Sequence, residues 1–390
     1  MNLPVADVVV IGGGVIGTSI AYQLARRGMN VALVDRQGLA AGTSGSAAVG
    51  VQMQTKTPGA KLSFALESLA MHRTLTDELG RDYEFDNDGG MIVAETPPEE
   101  EYVKAKVADL QAHGLEMYYL DRKQARELQP ALSPHILGSA WCPDDSVANP
   151  IYLCLAFAEA ASRFGARIHT YAEVKELRIR AGRITEVVTS AGEIAAGAVV
   201  NAGGIWAPEL ARMVGLDLPI VPRRGQIFVT EPAPPFMRGL VLAASYLMSK
   251  KMPSGSETGT GGLPAGVVSA QSRRGNLLVG STREFVGYNW RVNYEGLSKI
   301  MRDTARLMPV SQHLHVIRTF GGLRPAAPDG MPILERSPGI PNFYIAAGHE
   351  GDGIALSPIT GLRMAQLITG EIGEDVLAPF ASSRFESDVS

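Results

Sequence analysis

The feature that most constrains this chain is the loop Gly12-Gly13-Gly14-Val15-Ile16-Gly17, because of what flanks it. Ala6 to Ile11 is a short, valine-rich apolar run, as in a parallel strand buried on both faces. Val15 to Arg27 carries a helical apolar pattern that stops at Gly28, a residue suited to the left-handed position after a helix. Asn30 to Val34 is a second apolar strand, closed by Asp35. Together they form a strand–helix–strand unit of about 30 residues, the length that parallel neighbours require. Gly12, Gly14 and Gly17 are spaced for a tight turn, for close approach of a pyrophosphate, and for close packing of helix on strand. The helix amino end offers unbonded N–H groups and the positive pole of its dipole. Asp35 stands 18 residues beyond Gly17, where a carboxylate can accept from ribose hydroxyls. The unit therefore predicts a dinucleotide site. Asp35 disfavours the 2′-phosphate of NADP, although Arg36 beside it softens that exclusion.

At 390 residues the chain exceeds one ordinary core and fits two domains. Hydrophobic residues at 45% against 19% charged describe a folded protein. A net charge of -4 gives no basic footprint for nucleic acid or anionic membrane. Cys142 and Cys154 make neither a disulfide framework nor a zinc spacing, so no metal site and a reducing cytoplasm are expected. Val5 to Ala21 is apolar but lacks a basic leader and ends in glycines, which favours a buried strand over a signal peptide. No apolar stretch reaches the roughly 18–20 residues of a membrane helix.

Farther along, Asp86 to Ala94 and a helical segment from Glu99 to His113 break the alternation, with Pro97-Pro98 between them. Arg167 to Arg178, Arg183 to Thr189 and Glu193 to Ala196 read as short strands joined by turns at Ala181-Gly182 and Ala191-Gly192. Ala198 to Asn201 reads as a further strand, ended by Gly203-Gly204, with a helix from Trp206. Gln226 to Arg291 is mainly strand, including Tyr246, interrupted by a loop expected to be mobile at Ser254 to Gly262. Arg302 to Met308 is helical and Phe343 to Ala347 is the last strand. The expected fold is α/β (α+β): a Rossmann-like nucleotide domain interleaved with an antiparallel-sheet substrate domain. The first comprises residues 1–85, 145–222 and 318–380, the second 86–144 and 223–317.

The loop alone does not separate NAD from FAD. Gly348-His349-Glu350-Gly351-Asp352-Gly353 follows the last strand, and Ser357-Pro358 then reads as N-cap and first residue of a helix. A second helix amino end in the same domain can face the pyrimidine edge of a flavin and stabilise its reduced, negative form. A glycine-rich connection without a ligand is the alternative.

With these segments the chain resembles the D-amino-acid-oxidase-like superfamily of FAD oxidoreductases, over nearly its whole length. The marks are the amino-terminal loop, Gly42-Thr43-Ser44-Gly45-Ser46, Val200-Asn201-Ala202-Gly203-Gly204-Ile205-Trp206, Gly322-Leu323-Arg324-Pro325 and the closing glycine-rich segment. Gly280-Ser281-Thr282-Arg283-Glu284 and Gly348 to Ile354 look most like FAD-bearing subunits of heteromeric dehydrogenases, such as hydrogen cyanide synthase, opine oxidases and dye-linked proline or hydroxyproline dehydrogenases.

The resemblance implies FAD held by Gly12, Gly14, Val15, Ile16, Gly17, Asp35, Arg36, Thr43, Ser44, Ser46, Val174, Gly203, Gly348, Glu350, Gly351, Gly353 and Ile354. Non-covalent binding is expected, because Gly42 to Gly50 holds no histidine and no cysteine follows Cys154. Arg324 would bind the substrate carboxylate through its fork, Tyr246 would add a hydroxyl, and His349 would tune the ring or touch substrate. Arg223, Arg224, Arg273 and Arg283 are candidates for a second carboxylate. The implied reaction is oxidation of the C–N bond of glycine, a D-amino acid, hydroxyproline or an opine. Hydride passes to flavin N5 and an imine forms. Partner subunits would carry electrons onward, and through them the chain could sit at the inner membrane. A stand-alone oxidase using oxygen and a non-catalytic flavoprotein subunit are the alternatives.

Overall fold

The computed structural model describes residues 3–248 and 265–388, so the loop expected at Ser254 to Gly262 lies outside the described residues. The chain opens with β1 (Leu3–Ile11), α1 (Val15–Arg26) and β2 (Val31–Val34). There follow β3 (Gly50–Val51), α2 (Ala60–Leu79), β4 (Gly90–Ala94), α3 (Pro97–Ala112), β5 (Tyr118–Asp121), α4 (Arg122–Leu128), β6 (Gly138–Cys142) and β7 (Ser146–Val147). The middle holds α5 (Pro150–Arg163), β8 (Arg167–His169), β9 (Val174–Arg180), β10 (Arg183–Thr189), β11 (Gly192–Asn201) and α6 (Ala207–Arg212). Then come β12 (Val221–Pro232), β13 (Leu240–Ala243), α7 (Ala244–Met248), β14 (Ala265–Gln271), β15 (Asn276–Thr282) and α8 (Tyr294–Leu307). The chain closes with β16 (Val316–Ala326), β17 (Ile333–Arg336), β18 (Phe343–Ala347) and α9 (Gly353–Thr369).

The first sheet runs β17-β18-β11-β1-β2-β8, parallel from β18 to β8. Its strands are apolar on both faces because both are covered. Val8, Val10, Val31 and Leu33 enter a core shared with α1, α2, α5 and α9. The alternate residues Val9, Ile11, Ala32 and Val34 face a second core, formed with β9, β10 and α6. The second sheet runs β16-β12-β15-β14-β13-β4-β6-β5. It is antiparallel except that β13 lies parallel to β4. This mixed α/β architecture is the expected one.

Three local expectations need correction. Glu193 to Ala196 and Ala198 to Asn201 are one continuous strand, β11. β1 pairs along one side of it, while β10 and then β18 take the other. A change of partner leaves no break in the backbone. Tyr246 lies in the five-residue helix α7, not in a strand. The last helix starts at Gly353, so Ser357 and Pro358 sit inside it and Asp352 is the N-cap. Pro358 has no N–H for the carbonyl of Ile354, and Ser357 Oγ donates to that carbonyl at 3.1 Å instead. Helix α9 therefore presents its amino end five residues nearer the glycine-rich loop than Ser357 implied.

Candidate active site

The first βα turn is built by contacts that only glycine permits. Gly12 has φ +120°, and a Cβ there would stand 2.4 Å from the carbonyl oxygen of Ala202. A Cβ on Gly17 would stand 1.9 Å from the carbonyl oxygen of Gly12, so this glycine closes the helix onto the loop. Gly14 is the N-cap of α1 and provides no side-chain cap. Ser44 Oγ, from the Gly42 to Ser46 segment, accepts from Val15 N–H at 3.0 Å. The remaining N–H groups of that turn have no intrahelical acceptor.

Asp35 is fixed before any ligand arrives. Its Oδ2 accepts from Gly13 N–H and its Oδ1 from Gln37 N–H, both at 2.7 Å. Lone pairs remain on both oxygens for a hydroxyl donor. The Arg36 guanidinium lies 3.8 Å from the centre of the Trp206 ring. Asn201 Oδ1 accepts from Gly203 N–H at 3.2 Å and orients the turn after β11.

From here one cavity runs to the second sheet. Its walls include Gly12, Gly14, Val15, Ile16, Asp35, Arg36, Thr43, Ser44, Ser46, Val174 and Gly203. Tyr246, Arg324, Gly348, His349, Glu350, Gly351, Gly353 and Ile354 complete the predicted set along it. Of the residues expected to hold FAD, Gly17 alone does not line the cavity, for the packing reason given above. Thr43 Oγ1 donates to the carbonyl of Leu323 at 2.6 Å, tying this segment to β16.

At the far end, Arg324 leaves β16, crosses β12 and reaches β15. Its Nη2 donates to Ser281 Oγ and its Nη1 to the carbonyl of Thr282, the latter at 3.2 Å. The crossing point is Gly225, where a Cβ would meet Nη2 at 2.4 Å and Nη1 at 2.5 Å. Arg223 pairs directly across the ladder with Arg324, so both leave the sheet on one face. Arg224 and Gln226 point to the other, where Glu284 accepts from both. Arg224 is thus committed elsewhere, as is Arg273, which pairs with Asp82 and Asp86 on the surface.

Three guanidinium groups remain together. Arg223 donates to Glu350, whose carboxylate also stands 3.9 Å from Arg324 Nε. Arg283 Nη2 donates to Tyr246 Oη at 3.0 Å. Burial, together with repulsion from Arg283 and Arg324, pushes the Arg223 pKa down to about 9. Burial also lowers the Arg324 pKa. For Tyr246, burial acts upward, but the surrounding arginines outweigh it and the phenol pKa falls below the usual value.

The closing loop is pinned by buried polar contacts. His349 Nε2 lies 3.1 Å from Thr360 Oγ1, and burial takes the imidazole pKa down to about 3, so it is neutral at pH 7. Asp352 bonds Lys56 and Lys61, both at 2.7 Å, and the Lys56 side chain is only 1% exposed. These two lysines, with Gly225, Ser281 and Trp206, were not singled out as site residues from sequence. The segments holding Trp206 and Ser281 were legible as family marks; the parts played by the others depend on strand register and helix packing.

Cys142 and Cys154 are buried, and burial raises the Cys154 thiol pKa to about 12. Among the described residues no cluster could hold a metal ion, and no helix is long and apolar enough to cross a membrane.

The glycine turn, the uncapped helix end and the anchored Asp35 fit a dinucleotide, and the second sheet closes the other end of its cavity. Residues 7–367 match the family model for FAD-dependent oxidoreductases called DAO. The chain is 30% identical to hydrogen cyanide synthase subunit HcnC of Pseudomonas aeruginosa, covering 98% of this chain and 97% of that one. It is also 30% identical to glycine oxidase of Geobacillus kaustophilus, covering 97% of each. The L-proline dehydrogenase of P. horikoshii superposes with a TM-score of 0.88 at 26% identity, over 99% of both chains. With its fold, its cavity and these likenesses in agreement, the chain belongs to the DAO family of FAD-dependent oxidoreductases.

Proposed function

We propose that this chain oxidises the C–N bond of an amino acid or N-substituted amino acid, using non-covalently held FAD, as the catalytic subunit of a heteromeric dehydrogenase. The observation that carries this reading is Arg324, aimed into the nucleotide cavity through the gap left by Gly225. Ser281 and Thr282 hold one side of its fork, leaving other N–H groups for a carboxylate. FAD supplies a two-electron acceptor for the hydride from the carbon beside nitrogen.

In this reading Gly12, Gly14, Val15, Ile16, Thr43, Ser44 and Ser46 hold the pyrophosphate or the ring beside it, while Asp35, Arg36 and Val174 hold the adenosine end. Glu350, Gly351, Gly353 and Ile354 line the flavin end beside neutral His349. Arg324 orients the substrate carboxylate, and Tyr246 adds a hydroxyl contact. Loss of hydride from carbon and a proton from nitrogen leaves an imine, which water splits into a 2-oxo acid and an amine. Positioning dominates such chemistry. Residues 1–85, 145–222 and 318–380 serve the cofactor and 86–144 and 223–317 the substrate, with β16 as the wall between them.

The likeness to a protein named as a subunit supports a heteromeric role, and the likeness to glycine oxidase supports a stand-alone oxidase as second reading. Anaerobic mixing with a panel of amino acids and opines tests the reaction. Bleaching of the flavin by the parent, and its loss in Arg324→Ala, is expected. Equal bleaching by both proteins would overturn the role of Arg324. Reoxidation by oxygen against a dye separates the two readings, and purification from the native source tests for partners.

A further inference from the structure

We propose that Lys56 and Lys61 are positioning residues for the cofactor: they hold the Asp352 carboxylate off the amino end of α9 and so reserve that end for the electron-rich edge of the flavin. This rests on the placement of the flavin end beside Gly351, Gly353 and Ile354 in the reading above, and is independent of the substrate.

The amino end of α9 is open. Its first i→i−4 bond runs from Leu356 N–H to the Asp352 carbonyl at 2.9 Å, so the N–H groups of Gly353, Ile354 and Ala355 have no intrahelical acceptor. Gly353 and Ile354 line the cavity. An aspartate that opens a helix ordinarily offers its carboxylate to such donors, with the helix dipole in favour. Asp352 opens α9, yet its side chain caps none of them. Its two oxygens instead meet Lys56 Nζ and Lys61 Nζ, each at 2.7 Å.

Both ammonium groups are moored outside the cavity, whose wall includes Asp352 but neither lysine. Lys61 stands in the first turn of α2 and also donates to the Gly330 carbonyl at 2.6 Å. The Lys56 side chain is 1% exposed and also faces the buried Asp145. Asp145 accepts from the N–H groups of Met53 and Gln54, at 2.6 and 3.2 Å, which fixes the turn that leads to Lys56. The pull on the Asp352 carboxylate is therefore away from the cavity. Within this network two carboxylates match two ammonium groups. Loss of one lysine leaves unmatched negative charge beside the open N–H groups, where it competes with the ring edge and opposes the charge that reduction adds there.

The test is a double-mutant cycle on the FAD-loaded protein, read as the midpoint potential of the flavin against a reference dye with no amine present. Lys61→Met should lower the potential by about 30 mV or more, a tenfold weaker preference for the reduced cofactor at two electrons. In an Asp352→Asn background the same change should alter that preference by less than about threefold, because no carboxylate is left to hold. Lys61→Arg, which keeps the charge, should stay within about threefold of the parent. Lys61→Gln, which keeps a donor for Gly330, runs the same cycle if Lys61→Met takes up too little FAD. An equal fall in both backgrounds would mean that the lysine acts by its own charge, and would overturn the inference. A potential moved by Asp352→Asn but not by Lys61→Met would also overturn it, while leaving the flavin where the reading puts it. No movement in any variant would overturn that placement as well.

Discussion

Replacing Gly225 with alanine adds one methyl group at the point where Arg324 crosses β12. That methyl would lie 2.4 Å from Nη2 and from Ser281 Oγ, and 2.5 Å from Nη1. Ordinary contacts begin near 3.5 Å, so the guanidinium must retreat by about 1 Å. The backbone itself has no quarrel with alanine, since Gly225 lies within a strand and away from positive φ. Fewer unfolded conformations would even contribute about 0.4–1 kcal/mol of stability. The groups that yield are the flexible end of an arginine and a hydroxyl. Stability should therefore change little while the aim of Arg324 changes much. Misplacing an orienting group by about 1 Å lowers rates by roughly 100-fold. Steady-state oxidation with a dye acceptor should show kcat/KM down by that factor, with the melting temperature within a few degrees of the parent. A folded variant with kcat/KM within about threefold of the parent would refute the claim that this crossing sets the substrate geometry.

Two further perturbations probe other parts of the molecule. In Gly12→Ala the new methyl meets the backbone oxygen of Ala202 at 2.4 Å and its carbon at 2.8 Å, at φ +120°, and backbone atoms cannot step aside. Strain of about 1–3 kcal/mol should appear as a lower melting point and roughly tenfold or greater loss of FAD affinity, read from the 450 to 280 nm absorbance ratio; an unchanged ratio would contradict the cradle. His72 is fully buried against Tyr83 and Phe85, and burial lowers its pKa to about 4. Between pH 6.5 and 4 the unfolded chain takes up a proton at this site that the folded chain refuses. Stability thus falls as pH falls, by about 1.4 kcal/mol per unit and about 3 kcal/mol across the window. Denaturant titrations of His72→Gln should show a correspondingly flatter pH dependence, and parallel profiles would rule out this histidine as the source.

What the sequence disclosed follows from the range of the interactions involved. The βαβ unit was legible because Val8 to Val34 encodes strand, turn and helix by local periodicity, and each face is covered. Ser357-Pro358 misled because it is a strong local start signal, whereas the helix had already begun at Gly353 and Ser357 itself repaired the missing bond. Tyr246 misled because a five-residue helix between strands is too short for any period to register. At the site, the glycine loop and Asp35 could be named from adjacent residues. Gly225 could not, and Ser281 could be quoted only within a segment, without its role. Their part depends on the register of β12 against β15 and β16, set by pairing between segments far apart in sequence.

The shared strand β11 has a consequence for how tightly a ligand can be held. Val174 pairs with Thr189, Thr189 with Gly192, and β11 then runs without interruption to Asn201, which orients Gly203. Val174 and Gly203, which both line the nucleotide cavity, are therefore joined through one run of paired strands. Their separation is set when the protein folds, not when the ligand arrives. Little conformational freedom is left to lose on binding, and preorganisation of this kind appears directly as affinity.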